Sequence, residues 1–415
     1  MQVEQTNWAG NHVYGAQELR HPADLDELCG IVASTEHVRA LGSRHSFTDL
    51  ADTTGTLVSL LGLPAEVEID SSEGTVRASA GVTYAHLSTI LHEAGWALSG
   101  MASLPHITIA GAVATGTHGS GVGVGSLSSA VRSVETIGAD GQFRVVRRGE
   151  PDFEGQVVSL GALGVVSHLT LAVEPTYMVR QDVFLGLAWG DLLTNFDAIM
   201  SGAYSVSVFT DWTTSERTQV WLKSRTEQPT DGILGWAAPA TSTTHMLRGA
   251  PLESLTAQLG EVGPWHERLP HFRAEFTPSR GEELQSEYFV PRRQAVEAVA
   301  ALREVGGRFE HLLQVGEIRT IAADDLWLSG AYGEDAVAFH FTWDRDPAGV
   351  YAVLPVIEEA LAPYGARPHW GKCFTLEESM LREVHPRLSD FVALRDRLDP
   401  SRKFGNAFLE RCLGA

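Results

Sequence analysis

Three cysteines, Cys29, Cys373 and Cys412, are all that 415 residues contain, and they are widely spaced with no CxxC pair. This spacing excludes a disulfide scaffold and a zinc or redox thiol motif, and predicts reduced, mostly buried thiols. Basic residues are also scarce: 31 Lys and Arg stand against 52 Asp and Glu, a formal net charge of -21. A field of that sign repels phosphates and anionic lipid, so neither nucleic acid nor a membrane is an expected partner. No apolar run is of membrane-spanning length, and the opening MQVEQTNWAGNHVYG has neither a basic nor an apolar leader region, so a cytoplasmic location is expected. The 16 histidines form no HExxH or other close His/carboxylate ligand pair, which disfavours a metal-dependent hydrolase; no metal is expected.

Hydrophobic residues at 44% and charged residues at 20% are ordinary for a chain that folds throughout. The length predicts two domains, each able to bury its own core. The first 175 or so residues alternate β-patterned runs (TLVSL at 56–60, EVEID at 66–70, TVRASAG at 75–81) with glycine-rich turns. One helix is predicted to open at Pro22 in HPADLDELCGIV. Another follows Thr83, with Leu87, Ile90, Leu91 and Ala94 as its apolar stripe and Gly95 as its stop. VRSVETIG, Asp140-Gly141 and QFRVVRRG predict a hairpin closed by a tight primed turn. From about 177 the texture changes to longer strands, SVSVFTDW and QVWLKS. A helix over PRRQAVEAVAALREV with Pro291 in its first turn comes next, then the strands LLQVGEIRTIA and DAVAFHFTW. The tail from HWGKCF onward returns to helix and loop.

Three segments are rich in small residues. LGSRHSF at 41–47 places Gly42 and Ser43 where backbone N–H groups could approach a phosphate, and it contains His45, which its local sequence cannot distinguish from a solvated loop histidine. ITIAGAVATGTHGSGVGVG at 107–125 keeps little side-chain bulk between backbone and a ligand, yet contains neither GxGxxG nor GxxxxGK[ST]. GALGVVSHLTLAVEP at 161–175 puts a tight glycine turn before a strand that could lie along a planar ring. In the second half, Glu317 and Arg319 share one strand face, as do His340 and Thr342, while Phe339, Phe341 and Trp343 form the opposite, apolar face. The polar faces must front either water or a ligand.

Taken in order, LGSRHSF, SLPHITIAGAVATGTHGSG and GALGVVSHLTL resemble the vanillyl-alcohol oxidase superfamily of FAD enzymes. Within it the chain most resembles, from end to end and including HWGK, the alditol (xylitol, sorbitol) oxidases of actinobacteria. The resemblance implies a two-domain α+β fold. A PCMH-type FAD-binding domain would span 1–176, rejoined by 376–415, and a substrate-binding cap domain over 177–375 would be built on an antiparallel sheet flanked by helices. It implies FAD bonded covalently to His45, and by that link alone, since MASLPHITIAG lacks the second anchoring cysteine of some relatives. Leu41, Gly42, Ser43, Arg44, Ser46, Ser103, Thr108, Gly111, Ala112, Ala114, Thr115, Gly116, Thr117, His118, Gly119, Val165 and His369 would complete the FAD site. Ser103, Glu317, Arg319, His340, Thr342 and Lys372 would line the polyol pocket, Arg319 and Lys372 stabilising a developing alkoxide and Glu317 or His340 taking the proton. The implied reaction converts a terminal CH2OH of an alditol to the aldose and reduces dioxygen to hydrogen peroxide, the small Ala102 bearing on the oxygen step. An aldonolactone-type dehydrogenase using another electron acceptor is the alternative. The expected partners are a small polyol and dioxygen, and the expected state is a monomer.

Overall fold

A computed structural model describes residues 5–225, 235–247, 249–276 and 283–414. Local sequence sets the first half. The helix Leu25–Ser34 starts where the Asp24 side chain accepts the Glu27 amide, two residues beyond the start expected at Pro22. Tyr84–Glu93 is capped in the same way by Thr83, as its sequence suggests. Three short parallel strands run in the order Glu18–Arg20, Thr56–Ser59, Val38–Leu41. Five antiparallel strands run in the order Val67–Asp70, Thr75–Ser79, Val165–Ala172, Val131–Ile137, Phe143–Arg147. The last two strands are the expected hairpin, but its turn differs. Among the two central residues only Gly141 has positive φ (75°), and Gly138 N–H donates to the Gln142 carbonyl. The connection is therefore a three-residue loop ending in a left-handed glycine, the next commonest hairpin closure after the primed turns.

Among the described residues the second half is built on one antiparallel sheet of nine strands. Its centre runs in the order Gln219–Arg225, Ser205–Thr210, Leu313–Ile321, Ala336–Asp344, Glu283–Pro291. Period-two alternation makes one face apolar: Val206, Val208, Ile318, Phe339, Phe341 and Trp343 are buried against Ala298, Val299 and Leu302 of the helix Ala295–Val305 and against Val350, Leu354 and Ile357 of Pro347–Leu361. Pro291 closes a strand and does not open the helix, which is entered through the 3-10 turn Arg292–Gln294.

The tail crosses back. Leu381, Phe391, Leu394, Phe408 and Leu409 of its three helices share a core with Val76, Leu87 and Val134 of the first half. Buried Arg39 fastens this return by donating to the carbonyls of Leu50, Leu160, Gly161 and Phe404. The three cysteines are free, Cys373 and Cys412 being buried and Cys29 half-buried. Among the described residues no helix is long and apolar enough to cross a membrane.

Candidate active site

A cavity of about 320 Å³ lies between the two halves, with the glycine-rich segments at one end and the polar face of the nine-stranded sheet at the other. At the first end the strand Val38–Leu41 stops and Gly42–Phe47 runs along the cavity wall. The loop is pinned from both sides: Trp8 N–H donates to the Arg44 carbonyl (2.9 Å), and Phe47 N–H donates to the carbonyl of Gly371 (2.8 Å). Trp8 stacks on the His45 ring with centroids 5.1 Å apart. Burial pushes the His45 imidazole down to about pKa 4, so it is neutral, and its Nδ1 is buried without a hydrogen-bond partner among the described residues. Gly42 and Gly111 lie on the same wall, where an added Cβ would sit 2.4 and 2.9 Å from Thr108 Oγ1. A wall of backbone and small residues beside an orphaned imidazole nitrogen fits a group that packs on the backbone and engages His45.

At the far end, strand register assembles the chemistry. Glu287 pairs with His340 and His340 with Glu317, so three polar side chains stand in one row across adjacent strands. Arg319 stands one row along on the Glu317 strand. Glu287 has no exposed side-chain surface and binds Arg319 by a charged hydrogen bond and Lys372 Nζ at 2.6 Å, with His118 Nε2 lying 3.3 Å away. Burial alone would raise its carboxyl, but Arg319 and then Lys372 outweigh it and hold the group well below the ordinary carboxylate range. Glu317 is balanced in the same way: burial is overcome by Arg319 and His271, and its carboxyl stays ionised. Lys372 Nζ also reaches His340 Nδ1 at 2.8 Å. Burial first, then the Lys372 charge, keep His340 neutral. An ammonium donor at Nδ1 leaves the hydrogen on Nε2, which faces Thr342 Oγ1 at 3.1 Å. Arg319 Nε has no partner among the described residues, and it lies 3.7 Å from Glu317 Oε2. Ser103 Oγ accepts from Arg319 at 3.4 Å.

Of the residues expected from sequence, Leu41, Gly42, Ser43, Arg44, His45, Ser46, Ser103, Thr108, Gly111, Ala112, Ala114, Thr115, Thr117, His118, Glu317, Arg319, His340, Thr342, His369 and Lys372 all line this one cavity, as does Ala102. Gly116, Gly119 and Val165 do not. Gly116 sits at a left-handed turn (φ 68°) behind the wall, and Gly119 lets its backbone approach Met101, whose carbonyl oxygen a Cβ would meet at 2.3 Å. Val165 packs with Leu28, Val32 and Val38, and the alternation of its strand turns Val166 to the cavity instead. Sequence reasoning missed Glu287, Gln285, His271 and Lys223. The first two had a signal: ELQSEYFVP alternates Gln285 and Glu287 with Leu284, Ser286 and Tyr288, the same alternation that puts Glu317 and Arg319 on one face.

A family model described as FAD binding domain matches residues 17–147, and one described as D-arabinono-1,4-lactone oxidase matches 276–412. An alditol oxidase from a Streptomyces species is 49% identical over the full length of both chains. The chain belongs to the alditol oxidase family. An L-gulono-1,4-lactone dehydrogenase from Mycobacterium tuberculosis is 30% identical over 99% of each chain, so the lactone-acting relatives stand further from this alditol oxidase family member. Among solved structures, a cholesterol oxidase from B. sterolicum superposes with a TM-score of 0.80 over 98% of this chain and 96% of its own at 13% identity, which shows the shared fold.

Proposed function

We propose that the protein oxidises the terminal hydroxyl of an alditol to the aldose, and the observation that carries this is the Glu287–His340–Glu317 row with Arg319 and Lys372 gathered on it. Bound FAD supplies the hydride acceptor, and dioxygen, reduced to hydrogen peroxide, restores it. The reading takes 1–176 with 376–415 as the FAD-binding unit and 177–375 as the cap. Leu41–Ser46, Thr108, Gly111, Ala112, Ala114, Thr115 and Thr117 would hold the cofactor, and His45, through its unpartnered ring nitrogen, would bond to it as the single covalent link.

The polar wall suits a polyol because every hydroxyl entering a buried site needs a donor or acceptor, at a cost of about 1–3 kcal/mol where none is found. The reacting oxygen fits between Arg319 Nε and Lys372 Nζ, whose charges stabilise it as its hydrogen departs. Glu317 Oε2 accepts that hydrogen, while neutral His340 and Thr342 orient the neighbouring hydroxyl. A carboxylate held this low is a weak base alone, so the step depends on the two cations. Arg319→Ala and Lys372→Ala should each slow anaerobic flavin reduction by xylitol by about 10²-fold or more. Near-normal single-turnover rates would remove both from the reaction.

A further inference from the structure

Behind Glu317 lies a second buried chain of polar groups. Lys223, 1% exposed on the strand Gln219–Arg225, directs its ammonium at three consecutive residues: the carbonyls of Leu269 and Pro270 (2.9 Å) and His271 Nδ1 (3.0 Å). His271 Nε2 in turn meets Glu317 Oε1 at 2.9 Å. Phe209 and Trp221 pack edge-on with the imidazole at 5.4 and 5.2 Å, and the backbone N–H of His271 donates to the Ser103 carbonyl at 3.0 Å.

We propose that Lys223 and His271 are positioning residues, together fixing one oxygen of Glu317 so that the other is presented to the substrate. The proposal rests on Glu317 engaging the reacting hydroxyl. Donor counting supports it. Glu317, ionised beside Arg319, can only accept, so His271 must carry its hydrogen on Nε2. A neutral ring then has a bare Nδ1, which needs a donor, as does the carbonyl of Leu269, while that of Pro270 also accepts from Thr256 Oγ1 at 2.8 Å. The Lys223 ammonium supplies both and adds a second donor to Pro270. Lys223 thereby sets the tautomer of His271, and His271 sets the rotation of the Glu317 carboxylate, in the way a buried carboxylate or carbonyl orients a histidine from behind. Burial lowers the Lys223 ammonium well below its ordinary value, and Glu317 is the first charge to oppose that shift.

The test is the limiting rate of flavin reduction by a saturating polyol in the FAD-loaded full chain, together with the dissociation constant of a polyol measured before reduction. His271→Leu should lower the rate about 10-fold or more, as loss of a hydrogen bond to a charged group does, with binding changed far less. His271→Gln, uncharged and of similar size but still able to donate to Glu317, should recover most of that loss. Lys223→Met should resemble His271→Leu, and combining the two should bring little further loss, because they act through one chain. If Lys223→Met does not fold, the Leu and Gln pair at 271 still decides. Equal rates for those two, or losses that multiply in the double variant, would overturn the proposal. Glu317→Gln separates the layers: a normal rate there overturns the reading of the site itself, whereas an impaired Glu317→Gln beside a normal His271→Leu overturns the positioning role alone.

Discussion

Removing the charge of Glu287 would leave the mostly buried cations of Arg319 and Lys372 without their shared counterion. Breaking a buried ion pair in this way costs about 3–5 kcal/mol, so Glu287→Gln should lower the urea midpoint markedly as well as slow oxidation. The pH dependence follows from its depressed carboxyl. Stability from a lowered carboxylate is fully present above its ordinary value of 4.5 and is lost as pH falls through the lower folded value. The midpoint difference between wild type and Glu287→Gln should therefore stay constant from about pH 8 to 5 and shrink only in stronger acid. A difference that already narrows near neutrality would contradict the ionised assignment. At this scale the sequence was partly legible: a shared strand face makes Glu317, Arg319, His340 and Thr342 visible by spacing. Glu287 and His271 matter through partners 32 and 46 residues distant, which no local pattern encodes.

Among elements, the closing helix Ala407–Leu413 joins the tail to the loop beyond His45. Asn406 caps it by accepting the Leu409 amide, and the same side chain donates to the carbonyls of Asp49, Leu50 and Asp52. Asn406→Ala removes both the cap and the tether. It should cost about 1–3 kcal/mol, read as a lower denaturant midpoint at unchanged m-value. Strands and helices with a clear period were legible, and the Thr83 cap was read directly. Turn geometry was less so, because Asp140-Gly141 suits a primed turn and a three-residue loop equally well, and strand twist chooses between them. Val165 and Val166 show the same limit: both are apolar, so composition does not say which one faces the cavity.

Among the described residues the two largest cores lie on either side of a cavity, one wall of glycine and small residues, the other of paired charges. Its fold could be read through the ordered motifs of a known family, whereas the depth of the cavity and its interlocking charges arise only when the tail returns and His369–Lys372 meets the His45 loop. If His45 anchors the cofactor, denatured wild-type protein should keep its yellow colour, and denatured His45→Ala should lose it. The most direct test of the central claim is anaerobic single-turnover reduction of the bound flavin by xylitol and by butanol, side by side. The paired polar wall predicts rapid bleaching with xylitol and slow bleaching with butanol; equal rates, or none with xylitol, would contradict it.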